Sequence, residues 1–192
     1  MHNFNDFYDC LIDNPVIGAI RCDEDLECIL KKDIKIAFIL YGNLFTLEDA
    51  LNKLRKKNML VFVHIDMIDG LKSDQFGIVY LKKVINPDGI ITTKPSNIKH
   101  IKGSGMLSIL RIFAIDSKSL EMGLKSVIEY SPTAIEIMPG SASKNIKNMQ
   151  KSIKAPIIAG GLISTKEDVI ESLSFGAVAI STTSHSVWDL LI

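Results

Sequence analysis

The chain has 192 residues, 47% hydrophobic and 23% charged, with 22 basic and 22 acidic side chains and no net charge. That balance excludes a nucleic-acid binder driven by bulk charge, and no run approaches the ~20 apolar residues of a membrane span. The start, Met1-His2-Asn3-Phe4-Asn5-Asp6, has no signal-peptide pattern, and Cys10, Cys22 and Cys28 lack metal-type spacing, so reduced thiols in a cytoplasmic protein are expected.

Val16 to Ile20 reads as a first strand, with Arg21 at its end; Asp23, Glu24 and Asp25 then charge the opening turn of a helix favourably for its dipole. Ile36 to Leu40 is a second strand, followed by Tyr41-Gly42-Asn43 and a helix capped by Thr46, with Leu47, Ala50, Leu51 and Leu54 on one face. Leu60 to Ile65 is a third strand, running into Asp66. The helix after it is expected to start at Ser73 and to bury Phe76, Tyr80 and Val84. Gly89 to Thr92 is a fourth strand, ending in Thr93-Lys94, and the helix behind it is expected to be ragged. Leu107 to Arg111 is a fifth strand, with a helix after Asp116-Ser117 that places Leu120, Leu124, Val127 and Ile128 on one side. Ala134 to Met138 is a sixth strand, closed by Pro139-Gly140, and the helix behind it turns Ile146, Met149 and Ile153 inward.

The stretch Pro156-Ile157-Ile158-Ala159-Gly160-Gly161-Leu162-Ile163 reads as a seventh strand ending in a glycine pair. Ser164 and Glu167 have capping-box spacing for the next helix, and Gly176 suits its left-handed exit. Ala177 to Ile180 is an eighth strand, followed by Ser181-Thr182-Thr183-Ser184 and a short extra helix from His185 carrying Val187, Trp188, Leu190 and Leu191. Small residues after two adjacent strands leave main-chain donors open, and uncharged donors packed this way suit a phosphate. A phosphate site after strands 7 and 8 recurs in the eight-stranded βα barrel. Eight apolar runs alternating with helices make a small (βα)8 TIM-type barrel, one domain over residues 1–192, the first expectation; an open doubly wound sheet is second.

In such a barrel the functional end is where strands finish. Arg21, Asn43, His64, Asp66, Lys94, Arg111 and Glu136 gather there, while the opposite strand ends look poor in charge. His64 and Asp66, two apart on a strand, point the same way. As a dyad they could bind a hydroxyl, hold a metal with a third ligand, or move a proton; structural pairing is as good an account. Glu136, between two isoleucines, needs a partner if buried, and Arg111 or Lys94 can supply it. There is no nucleophile–base–acid trio and no HExxH, CxxC or P-loop, so no catalytic residue, metal or cofactor is expected. His2, His100 and His185 read as surface or turn histidines. Lys144, Lys147, Lys151 and Lys154 line one outer face of the helix after strand 6; a solvated face is the default, and RNA phosphate the alternative, as it is for the further basic patches Arg55-Lys56-Lys57 and Lys31-Lys32.

Six phrases carry a resemblance: Asn14-Pro15-Val16-Ile17-Gly18-Ala19-Ile20-Arg21, His64-Ile65-Asp66-Met67-Ile68-Asp69-Gly70-Leu71, Pro87-Asp88-Gly89-Ile90-Ile91-Thr92-Thr93-Lys94, Arg111-Ile112-Phe113-Ala114-Ile115-Asp116-Ser117, Ala134-Ile135-Glu136-Ile137-Met138-Pro139-Gly140 and Ala159-Gly160-Gly161-Leu162-Ile163. From about Asn14 to Trp188 the chain resembles the glycerol-uptake operon antiterminator family. The resemblance implies a bacterial cytoplasmic regulator, not an enzyme. It would sense glycerol 3-phosphate and bind leader mRNA of glycerol-utilisation genes, preventing early transcription termination. Gly160, Gly161, Ser181 and Thr182 would then hold the phosphate, Asp66, Glu136 and His64 would accept from the glycerol hydroxyls, and Lys94 and Arg111 would balance charge. Two positions depart from the family: Met67, and Leu110, which is expected to remove a polar group near the pocket. A homodimer is one expectation for a small barrel. The rival reading is a phosphosugar isomerase, lyase or prenyltransferase on the same barrel.

Overall fold

Each apolar run divides its side chains between two cores, because successive residues of a strand face opposite ways. On the second strand Ile36 and Phe38 pack inside the ring of strands, while Ala37 and Ile39 pack outward against helices. The computed structural model describes residues 4–140 and 143–190, except the side chains of residues 143–145; His2, Leu191 and the side chain of Lys144 lie outside the described residues. Its strands are β1 (Val16–Ile20), β2 (Ile36–Ile39), β3 (Leu60–His64), β4 (Gly89–Thr92), β5 (Leu107–Phe113), β6 (Ala134–Met138), β7 (Ile157–Gly160) and β8 (Ala179–Thr182). All pair in parallel in sequence order, and β8 closes on β1. This is the (βα)8 barrel, not an open sheet. Among the described residues no helix is long and apolar enough to cross a membrane.

Ahead of the barrel lies a helix that the sequence reading passed over, α1 (Phe4–Asp13). Its Phe7 and Leu11 are fully buried, and the Phe7 ring sits 4.9 Å from that of Phe62 on β3. Phe7 and Leu11 therefore belong to the inner core of the ring. The remaining helices are α2 (Asp23–Ile29), α3 (Leu47–Arg55), α4 (Gln75–Tyr80), α5 (Pro95–Gly103), α6 (Ser117–Tyr130), α7 (Ser143–Gln150) and α8 (Lys166–Ser174).

Several local expectations change. Asp74 caps α4 by accepting from the Phe76 and Gly77 amides, which sets the buried face at Gly77 and Ile78. A π-turn, Leu81–Ile85, continues the helix and buries Leu81 and Ile85, so Phe76 and Val84 point to solvent. Helix α5 is regular, with proline at its first turn. On α6 Val127 is buried, but Ile128 is exposed. The capping box of α8 is Thr165 with Asp168, one residue past the expected pair.

Helix α7 ends at Gln150, so Lys151 and Lys154 leave the helix and the four lysines form no continuous helical stripe; Pro156 follows closely and disfavours further helix. Nor are the entering ends of the strands poor in charge. The chain turns that lead into β2, β3 and β4 carry Lys31, Lys32, Lys35, Lys56, Lys57, Lys82 and Lys83. Lys31-Lys32 and Lys56-Lys57, legible in the sequence as basic patches, are among them.

Candidate functional site

Alternation along the strands decides which polar side chains meet. Leu107 and Ile109 point into the ring, so Arg111 does too; the same parity carries Glu136 inward after Ala134, and Ser181 after Ala179. Arg111 and Glu136 are cross-strand neighbours on β5 and β6. Arg111 Nε donates to Glu136 Oε2 at 2.6 Å, and the Ser181 hydroxyl donates to Glu136 Oε1 at 2.5 Å. Arg111 is 7% exposed and Glu136 1%, so a buried charge pair with both carboxylate oxygens engaged floors this end of the barrel. The counterion of Glu136 is Arg111, not Lys94.

Above that floor lies a cavity of about 560 Å³. Its sides include Arg21 after β1, Met67 after β3, Gly161 to Ser164 after β7, and Thr183 and Ser184 after β8. Gly161 and Leu162 both adopt left-handed backbone, with φ of 74° and 57°. Gly161 is glycine for two reasons: that φ, and the Met138 methyl, which would lie 2.8 Å from an added Cβ. Gly160 is glycine for another. A Cβ there would meet Glu136 Oε1 and Ser181 Oγ, each at 2.7 Å. Its missing side chain makes room for the acidic floor rather than for a ligand.

Of the nine residues expected to bind ligand, Arg111, Glu136, Gly161, Ser181 and Thr182 line this cavity. Thr182 already gives its hydroxyl proton to the Ile163 carbonyl (2.6 Å) and accepts from the Ser184 amide (3.0 Å), tying the turns after β7 and β8 together. His64, Asp66, Lys94 and Gly160 are not among its lining. Strand β3 stops at His64 and a 3-10 turn, Ile65–Met67, follows, so the two do not share a strand, although their side chains still face each other without a hydrogen bond. Asp66 turns toward β4, where its Oδ2 accepts from the Thr93 amide (2.8 Å) and the Thr92 hydroxyl (3.1 Å). Burial pushes its carboxyl up, but bonds from Ser73 and Thr93 outweigh that and hold it below the usual range. Lys94 is exposed and donates to the Ser73 carbonyl at 3.1 Å.

His64 is 2% exposed, its Nδ1 lies 3.7 Å from Asp66 Oδ2, and that nitrogen has no hydrogen-bond partner among the described residues. Burial, then the Arg111 charge, push its pKa down to about 4, so the ring is neutral near pH 7. Among the described residues no group of three His, Cys, Asp or Glu could hold a metal ion.

Arg21 was not placed in the ligand set by sequence reasoning. Arg21 lines the cavity, its side chain has no partner among the described residues, and its amide donates to Asp25 Oδ2 at 2.8 Å. A cation at the end of a barrel strand was the readable signal. His185 is more than a turn histidine: its Nε2 lies 2.8 Å from Asp25 Oδ1, and its ring sits 4.6 Å from that of Trp188. Leu110 faces outward into the helix-side core and is 1% exposed, so it takes no polar group from the pocket.

The family model described as glycerol-3-phosphate responsive antiterminator matches residues 16–188. The chain is similar to the crystal structure of the glycerol uptake operon antiterminator regulatory protein of Listeria monocytogenes, with 33% identity, 90% of this chain and 94% of that one covered, and a TM-score of 0.87. It is similar to a glycerol uptake operon antiterminator-related protein of Thermotoga maritima, with 31% identity, 91% and 98% coverage, and a TM-score of 0.79. It is also 35% identical over 177 residues to the uncharacterized protein YgcP of Escherichia coli, covering 92% of this chain and 93% of the relative.

Proposed function

The chain belongs to the glycerol-3-phosphate responsive antiterminator family, and from that premise we propose that it binds glycerol 3-phosphate in the cavity above Arg111 and Glu136. It then binds leader mRNA of glycerol-utilisation genes and lets transcription pass a terminator. The observation that carries this reading is the division of the cavity into two chemistries. Its floor, Arg111 with Glu136 and Ser181, is fixed and polar, and suits the hydroxyls of a glycerol unit. Its rim, made of Gly161, Leu162, Ser164, Thr183 and Ser184 with the guanidinium of Arg21, suits a phosphate dianion. Neutral His64 adds no positive charge beside Arg111.

The enzyme reading is weakened by the same geometry. Glu136 has both oxygens engaged and Asp66 is held by β4, so neither is a ready base. No lysine lines the cavity among the described residues, so no amine nucleophile is at hand.

Titration calorimetry tests the sensor. Glycerol 3-phosphate should release heat and saturate one site per chain, with glycerol and inorganic phosphate each much weaker. Folded protein that gives no heat at millimolar glycerol 3-phosphate would sink the proposal.

A further inference from the structure

We propose that the RNA backbone is held at the end of the barrel opposite the ligand cavity, in the groove where Lys31, Lys32, Lys35 and Lys57 converge. The inference rests on the antiterminator reading above and adds the face that reading leaves open. The groove encloses about 380 Å³ between the turns that lead into β2 and β3. Strands of four or five residues separate it from the cavity by roughly 15 Å.

Charge sorts the two ends. At the ligand end the first turns of α2, α3 and α8 carry Asp23, Glu24 and Asp25, then Glu48 and Asp49, then Glu167 and Asp168. Those first turns, outside the cavity itself, disfavour a polyanion. At the opposite end four lysines meet Asp33 alone within the groove. Asp33 pairs with Lys35, and Asp189 pairs with Lys32. Lys31 and Lys57 are exposed and have no carboxylate partner among the described residues. Just beyond them Arg55 and Lys82 both donate to Asn86, which extends the basic row toward β4.

Helix dipoles favour cations near helix C-termini in any such barrel. Here the lysines go beyond that: α2 has no basic residue in its last turn, and Lys31, Lys32 and Lys35 all come from the turn after it. Like charges crowded into one groove repel unless an anion joins them, and a phosphodiester chain offers one at each nucleotide. Acids stand at this end too, Asp13 beside Lys31 and Lys32, and Asp33 and Asp189 in pairs, so the charge left for a phosphodiester is that of Lys31 and Lys57.

The groove is also joined to the cavity rim. Lys32 is bound by Asp189, the neighbouring Trp188 donates from Nε1 to the Thr182 carbonyl at 2.9 Å, and Thr183 and Ser184 line the cavity. One short segment therefore touches both ends. A ligand that favours one arrangement of that segment changes RNA affinity by its own difference in affinity for the two arrangements.

The test uses the full chain, a leader RNA hairpin and a salt series, with and without glycerol 3-phosphate. Lys31→Glu with Lys57→Glu should lower the slope of log affinity against log salt by about 2, one per lost phosphate contact, and leave calorimetric ligand binding unchanged. Lys31→Ala with Lys57→Ala should give the same direction if the charge-reversed protein fails to fold. Lys147→Glu with Lys151→Glu should leave the slope as it was. Wild-type slope in the Lys31 and Lys57 variants, or a loss confined to the Lys147 and Lys151 pair, overturns this placement while the antiterminator reading stands. Wild-type protein that binds ligand and no RNA at any salt overturns both.

Discussion

Asp25 and His185 stand 160 positions apart in the chain and 2.8 Å apart in space, joining α2 to the turn after β8 across the seam where the barrel closes. The same Asp25 side chain takes the Arg21 amide through its other oxygen, and it is almost wholly buried. One carboxylate thus fixes both sides of the cavity mouth, Arg21 on one flank and Ser184 on the other.

Breaking that tie should cost stability and affinity together. Asp25→Ala strands the Arg21 amide and is expected to destabilise by roughly 1–3 kcal/mol in urea unfolding. A double-mutant cycle with His185→Ala should return a coupling of about 0.5 kcal/mol or more, as residues in direct contact do. Additive effects would mean that the two sides of the mouth are held independently.

The floor predicts an asymmetry between breaking a pair and removing it. Arg111→Ala leaves Glu136 charged, buried and served only by Ser181, and should cost about 3–5 kcal/mol. Arg111→Met with Glu136→Leu removes both charges and should recover much of that loss while still abolishing glycerol 3-phosphate binding. If the double variant is no more stable than Arg111→Ala in denaturant titrations, the unpaired carboxylate is not the source of the cost.

His64 makes stability depend on pH in a defined window. Its pKa is pushed from an unfolded value near 6.5 down to about 4, so between those values the unfolded chain holds a proton that the folded chain does not. Stability therefore rises with pH across the window; its contribution is full above about pH 6.5 and is lost as pH falls toward 4, by up to about 3 kcal/mol. Asp66 acts lower: its depressed pKa adds stability above its ordinary value of 3.8, lost only below that. His64→Gln should flatten the stability profile between pH 4 and 6.5 and leave the steeper acid limb. An unchanged profile would assign the slope to other groups.

The barrel was readable because each strand is an apolar run and each helix a periodic one. What the runs hid is which half of each faces inward. Arg111 and Leu110 are neighbours in sequence, yet one floors the cavity and the other packs under a helix; only the phase of alternation along β5 separates them. The glycine pair was visible, but Gly160 serves Glu136 and only Gly161 lines the cavity, a distinction set by side chains from other strands. The Asp25–His185 contact links the first and last units and leaves no local trace. Helix α1 did leave one: Phe4, Phe7 and Leu11 recur at helical spacing, ahead of the first strand where no βα unit called for a helix.

Arg21 offers the cleanest separation of binding from folding. Its side chain is exposed at the cavity mouth and has no partner among the described residues, so the folded protein gains little from it. A hydrogen bond to a charged group is worth about 1.5–3 kcal/mol, so losing one from guanidinium to phosphate should weaken glycerol 3-phosphate by roughly 10- to 100-fold. Arg21→Gln should therefore unfold at the wild-type urea midpoint while its calorimetric affinity falls by that factor. Arg21→Lys should fall between the two, because an ammonium keeps the charge and loses the paired donors. Glycerol, which lacks the phosphate, should bind wild type and Arg21→Gln alike. Equal loss for glycerol and glycerol 3-phosphate would move the phosphate away from Arg21 and leave the turns after β7 and β8 to hold it.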